Sequence, residues 1–188
     1  AGGIAMGAGV SPRQIHRVLG AVKAYVTRVG EGPFPSEAAP DEAAWLRERG
    51  REYGTTTGRP RRCGWFDGVL ARYAARVNGL DGLVLLKLDV LTGLERIPVA
   101  VAYRLGDRTL TDPPASLKAL ASCQPVYEYL PGWDQPLQGA RRLEDLPEAA
   151  RNYVRVVEEL AGVPVMLVSV GPGRDETIVV RDPLGPPD

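Results

Sequence analysis

Cysteine and histidine are scarce in this chain: Cys63 and Cys123 are the only thiols and His16 the only imidazole. Two distant cysteines supply neither a disulfide framework nor a metal-ligand spacing, which suits a reducing, cytoplasmic setting, and both read as ordinary small side chains. Phenylalanine is nearly as rare, with 2 residues. No apolar run approaches the roughly 20 uninterrupted residues of a membrane-spanning helix, and no signal peptide is visible, so a soluble protein is expected. Excess charge of either sign is also missing: 23 Lys plus Arg balance 23 Asp plus Glu. With no net field, neither a nucleic-acid polymer nor an anionic membrane is favoured as partner, and any anion must be bound by a local cluster. Internal repeats are absent, and low complexity is confined to the Pro-rich tail. The first residues, AGGIAMGAG, carry neither an initiator Met nor a polar cap, so the chain is expected to be an internal segment of a longer gene product. Its 188 residues suffice for one domain or a large piece of a bigger one.

What is present is a patterned succession of elements. Ser11 and Pro12 form a helix start, and Ile15, Val18, Leu19, Val22 and Val26 stand at helical spacing, so a helix is expected from Arg13 to Val26, with His16 on it in a surface or interhelical role. Gly30, Gly32, Pro33 and Pro35 then dictate a loop. Further helices are expected from Asp41 to Tyr53, from Trp65 to Val77 before Asn78-Gly79, and from Leu146 to Leu160 before Gly162. LVLLKLDVL (83–91), IPVAVAYRL (97–105), PVYEYLPGW, VPVMLVSVG and TIVV read as strands. Strands alternating with helices indicate an α/β fold, a mixed sheet flanked by helices.

Three segments carry chemistry. EYGTTTGRPRRCGW (52–65) sets three consecutive threonines between glycines and three arginines within four positions. Hydroxyls, backbone N–H groups on an adaptable loop and guanidinium forks are what a carboxylate or phosphate requires. A solvated basic loop would explain an arginine cluster alone, but solubility does not call for a hydroxyl run in a Gly-bounded loop. In LVLLKLDVL, period-two alternation sends Lys87 and Asp89 to one face of the strand. There the carboxylate can accept from both the ring N–H and the exocyclic amine of a guanine while the Lys stem lies along the base. Ser169-Val170-Gly171-Pro172 follows a strand and has the form of a loop that closes over a base.

GREYGTTTGRPRRCGW, LVLLKLDVLTGLERIPVAVAYR, PVYEYLPGW and GVPVMLVSVGPGRDETIVVRDP, together with KAYVTRVGEGPFPSE, occur in an order and spacing that resemble adenylosuccinate synthetases over essentially the whole chain. The resemblance implies the carboxy-terminal half, residues 1–188, of a larger P-loop-related α/β enzyme. That enzyme is a homodimeric, GTP-dependent ligase joining inosine monophosphate (IMP) to L-aspartate, which gives adenylosuccinate, GDP and phosphate on the route to AMP. It further implies that Thr55, Thr56, Thr57, Gly58, Arg59, Pro60 and Arg61 form the aspartate loop, with Thr56 and Thr57 donating to the substrate carboxylate. Arg59 would lie between aspartate and the IMP ribose, which Val29 borders, and Arg61 would reach the nucleotide phosphates. Lys87, Leu88 and Asp89, with Ser169, Val170 and Gly171, would bind the guanine of GTP. Pro60 departs from an often unbroken run of arginines and stiffens the loop.

The phosphate loop, the catalytic Asp and His and the Mg2+ ligands of the family belong to an amino-terminal half with no counterpart here. AGGIAMGAG lacks the Lys-Ser or Lys-Thr that a phosphate-cradling loop needs, and no catalytic residue is expected in this segment. The alternative is a free-standing guanine-nucleotide or anion-binding module without catalysis.

Overall fold

A computed structural model describes residues 2–185. In chain order its elements are α1 (Gly2–Ala8), β1 (Leu19–Lys23), β2 (Val26–Arg28), α2 (Pro40–Gly50), β3 (Arg62–Gly64), β4 (Phe66–Asp67), α3 (Gly68–Asn78), β5 (Gly82–Leu86), β6 (Arg96–Leu105), β7 (Arg108–Leu110), α4 (Leu117–Ala121), β8 (Gln124–Pro131), α5 (Glu148–Ala161), β9 (Val165–Ser169) and β10 (Thr177–Val179). One sheet has the order β1-β5-β9-β10; its first three strands run parallel and β10 is antiparallel to β9. In a second sheet β6 pairs with β4 and β7 along one edge and with β8 along the other, while β2 and β3 form a separate antiparallel ribbon. The mixed α/β architecture expected from the alternation is therefore present.

The helix expected from Arg13 to Val26 is not. Ser11 does cap a helical start, closing a capping box with Gln14, but the start ends after the single 3-10 turn Pro12–Gln14. The chain then extends through an exposed His16 into β1 and β2. The apolar spacing fitted a 3.6 period, yet Val18, Val22 and Val26 are β-branched and Gly20 weakens a helix by about 1 kcal/mol relative to Ala. What decides is pairing: Leu19–Lys23 lies in parallel register against Gly82–Leu86. A side chain at Gly20 would press on the Leu80 side chain, which would have to shift to admit it.

The helix expected from Trp65 starts later. Trp65 to Asp67 enter the second sheet, and Asp67 becomes the cap of α3, accepting from the Leu70 N–H at 3.0 Å and from the Tyr103 hydroxyl at 2.5 Å. The strand expected over 83–91 stops at Leu86, after which Leu88–Leu91 wind a 3-10 turn. Helices α2 and α5 match expectation within a few residues. Gly162 ends α5 with φ +74°, the left-handed conformation that glycine adopts without strain.

Tyr153, on the inner face of α5, joins the layers. Fully buried, it donates to the Ala24 carbonyl at 2.6 Å and meets the edges of Phe66 and Trp133 with centroids 6.5 and 6.1 Å away. Burying such a ring stabilises by about 1.5–3 kcal/mol, and each edge-to-face pair adds roughly 0.5–1.5 kcal/mol. Parallel pairing of β5 with β9 sets their carboxyl ends side by side, which is where open α/β sheets place ligands.

Candidate functional site

Of two clefts, the second opens beside these strand ends and the first at the arginine-rich loop. The walls of the first, about 580 Å³, come from the loop after β2 (Arg28 to Gly32) and from Gly54, Thr57, Arg59, Pro60 and Arg62. The arginine-rich loop has a neck of backbone pairs: Arg61 N–H to Glu52 O, Gly54 N–H to Arg59 O, both 2.9 Å, and a Tyr53–Pro60 bridge. Gly58 turns the tip with φ +63° and donates its N–H to Gly54 O at 2.8 Å. Thr57 Oγ1 accepts from the Arg59 N–H at 3.3 Å, ordering the descending arm. The Arg59 guanidinium makes no hydrogen bond or ion pair among the described residues, whereas Arg62 is forked onto the Glu37 carboxylate at 2.6 and 2.7 Å. Val29 projects into the opening, 69% exposed. Thr55 and Thr56 lie exposed on the turn outside the cleft wall.

The second cleft, about 340 Å³, has walls from Arg49, Gly50, Arg51, Lys87, Asp89, Val90, Gly171 and Pro172. Lys87 and Asp89 do share it, but not through strand alternation. Lys87 breaks β5 with φ +61°, and Asp89 sits in the 3-10 turn that follows. Among the described residues Lys87 and Arg51 are the non-glycine positions with positive φ, and both line this cleft. Such a conformation costs on the order of 1–3 kcal/mol and persists only where surroundings enforce it. Half-buried, the Asp89 carboxyl is pushed above its ordinary range by burial, and Glu176 adds to the push against the pull of Lys87 and Arg49. No other residue's side chain or backbone donates to it among the described residues. Leu88 and Val170 point into the core instead. Ser169 donates its hydroxyl to Gly171 O at 2.9 Å. Gly171 lies so near Glu176 that a Cβ would fall 2.5 Å from its carboxyl carbon.

Between the clefts stands Glu52, fully buried. Its carboxylate accepts from Lys87 Nζ (2.7 Å), Arg61 (2.7 Å), Lys23 Nζ (2.9 Å) and the Tyr25 hydroxyl (2.5 Å). Burial alone would raise its pKa; the hydrogen bonds from Lys87, Tyr25, Lys23 and Arg61 outweigh burial and hold it at about 2. Burial pushes Lys23 below its ordinary value, against the hydrogen bond from its ammonium to Glu52. Gly50 O, at the carboxyl end of α2, takes a further bond from Lys87 Nζ at 2.7 Å, where the helix dipole favours a cation.

With this geometry in view, the chain can be set against known proteins. The family model for adenylosuccinate synthetase matches residues 1–178. A synthetase of that name from Carboxydothermus hydrogenoformans is 60% identical over 96% of this chain. One from Moorella thermoacetica is 57% identical over 98%. The chain belongs to the adenylosuccinate synthetase family. It spans only 42% and 43% of the lengths of those two relatives. A solved structure, the fully ligated adenylosuccinate synthetase from Plasmodium falciparum, superposes with a TM-score of 0.90 at 38% identity, over 95% of this chain and 43% of that one.

Within the synthetase segment, sequence reasoning singled out both clefts but passed over what joins them: Glu52, Lys23, Tyr25 and the left-handed Arg51. A carboxylate at the head of a segment with three arginines was the available signal, since a lone acid in a basic loop is placed to be shared. Among the described residues no group of three or more His, Cys, Asp or Glu side chains is disposed to hold a metal. No described helix is long and apolar enough to cross a membrane.

Proposed function

We propose that this chain is the aspartate- and guanine-binding part of a cytoplasmic, homodimeric adenylosuccinate synthetase that joins IMP and L-aspartate at the expense of GTP. The observation that carries the reading is that each cleft presents a group of the matching chemistry that no other described residue bonds: the guanidinium of Arg59 in the first, the carboxylate of Asp89 in the second. Arg59 can fork onto the carboxylate of aspartate, with Thr57 beside it and Val29 across the opening, where an IMP ribose would border the loop. Asp89 can accept from the ring N–H and the exocyclic amine of guanine, while the Lys87 stem and the loop from Ser169 to Gly171 flank the base. Arg61, held at its root by Glu52, keeps guanidinium N–H groups for a phosphate. The magnesium that the family resemblance implies finds no fitting ligand group among the described residues, so no role is assigned to it here. Phosphoryl activation and proton transfer belong to the part of the relatives that this chain does not span.

Steady-state kinetics on the full-length protein test the assignment. Arg59→Lys replaces a fork by a point charge and should lower kcat/KM for aspartate by about tenfold or more, leaving the GTP constant in place. Asp89→Asn should do the reverse, weakening GTP by roughly tenfold to a hundredfold, the equivalent of a charged hydrogen bond of about 1.5–3 kcal/mol. Equal movement of both constants in either variant refutes the division of labour.

A further inference from the structure

The carboxylate of Glu52 is bonded both from the loop whose residues wall the first cleft and from the wall of the second. Arg61, on the arm leaving the first loop, donates to Oε2 at 2.7 Å, and Lys87, in the wall of the second cleft, donates to Oε1 at 2.7 Å. The backbone repeats the link, since Glu52 O accepts the Arg61 N–H at 2.9 Å and Glu52 N–H is tied to Arg47 O in the last turn of α2. Lys23 and Tyr25 complete the set from the end of β1 and the residues after it.

The donors differ in what they have left. Lys23 Nζ has three acceptors in reach, Thr27 Oγ1 and both Glu52 oxygens, which match its three protons. The Tyr25 hydroxyl is spent on Glu52 in the core. Lys87 uses two of its three protons, on Gly50 O and Glu52 Oε1, and Arg61 commits one terminal nitrogen to Glu52. Lys87 in the wall of the second cleft, and Arg61 between the first-cleft wall residues Pro60 and Arg62, therefore keep donors for a ligand, while Lys23 and Tyr25 hold the carboxylate still.

We infer that Glu52 is a positioning residue, which fixes Lys87 and Arg61 on one buried carboxylate and so makes the guanine cleft and the aspartate loop a single rigid unit. The inference rests on the functional reading above. A site holds its productive geometry only if the side chains that contact ligand are themselves locked from behind. Glu52 does this for residues that the two substrates would approach from opposite sides. Its removal should then act on both substrates together, unlike the loss of Arg59 or Asp89.

The test is Glu52→Gln in the full-length enzyme. The amide keeps the volume but turns an NH2 toward cations that need an acceptor. Both KM values, for GTP and for aspartate, should rise together by about tenfold, the scale of a lost hydrogen bond to a charged group. Asp67→Asn is the control: Asp67 is equally buried and bonded to a tyrosine, but it caps α3 away from the clefts. It should lower the melting temperature with both KM values unchanged. If Glu52→Gln behaves like this control, losing stability with wild-type KM values, Glu52 is structural only and the inference falls. It falls equally if one KM moves and the other does not. Should Glu52→Gln fail to fold, Lys23→Met, which removes an inward donor without touching a cleft, must still raise both constants in parallel; unchanged constants overturn the inference. A wild-type enzyme with no dependence on GTP or aspartate would refute the functional reading before any variant is made.

Discussion

Gly50 closes α2 directly behind the Glu52 cluster, and changing it to alanine sets two sizeable effects against each other. Its backbone lies outside the positive-φ region, so on helix propensity alone alanine should stabilise by about 1 kcal/mol. The added methyl, however, would stand 2.1 Å from the Tyr25 hydroxyl, 3.0 Å from Cζ of that ring and 3.2 Å from Glu52 Cγ. Tyr25 is 1% exposed and bonded to Glu52, so the ring cannot swing into solvent. Overpacking a tight core costs about 1–3 kcal/mol, and pulling the hydroxyl off an ionised acceptor costs about 1.5–3 kcal/mol more. The sum against a gain of about 1 kcal/mol predicts a net loss of about 1.5–5 kcal/mol. Urea unfolding of the full-length protein, followed through tryptophan fluorescence, measures it. A cycle with Tyr25→Phe sharpens the result, because removing the clashing oxygen should make Gly50→Ala much cheaper in the double variant than in the wild type. Gly50→Ala at or above wild-type stability, or costs that simply add in the double variant, would refute the packing described for this cluster.

Acid should loosen the same cluster. Glu52 is held from its ordinary 4.5 down to about 2, so its contribution is fully present above about pH 4.5 and is lost as pH falls from there through 2. Glu52→Gln should flatten that limb of the stability curve, and an unchanged acid limb would show that the carboxylate is not held in this way. The 188-residue segment by itself should show no turnover with IMP, GTP, aspartate and magnesium, since the proposed function puts the groups that stabilise charge in a phosphoryl transfer outside it. Formation of adenylosuccinate by the purified segment, followed by absorbance, would contradict that placement.

How far residues alone led depended on how many neighbours each decision needed. Helix α5 was legible because Ala150, Tyr153, Val154 and Val157 keep one stripe and Gly162 stops it; strand β6 was legible because Ile97 to Tyr103 is an apolar run too short for a helix. The stretch from Arg13 to Val26 was misread because its apolar spacing satisfies a helix while its fate is settled by β5, some sixty residues away. The clefts were found through residue type: hydroxyls, glycines and guanidiniums in one loop, and a Lys-Asp pair beside an apolar run. Their detail was not, since of the three threonines only Thr57 enters the cleft wall, and Lys87 meets Asp89 through a left-handed break rather than a pleat.

The net charge of zero concealed the feature that matters electrostatically. Lys23, Arg61 and Lys87 are three cations on the single Glu52 carboxylate, so the cluster carries an excess of positive charge, part of which Asp89 beside Lys87 offsets. Arg59 adds a further cation in the first cleft. Because Glu52 stays ionised down to low pH, its negative charge is kept and the surplus around it does not grow there, and an anionic part of a ligand complements what remains. A nucleotide with its base against Asp89 and its phosphates reaching Arg61 supplies such a part, and so does the carboxylate of an amino acid at Arg59. The proposed reading of anionic substrates at these clefts is thus supported by the local charge as well as by the residues in their walls.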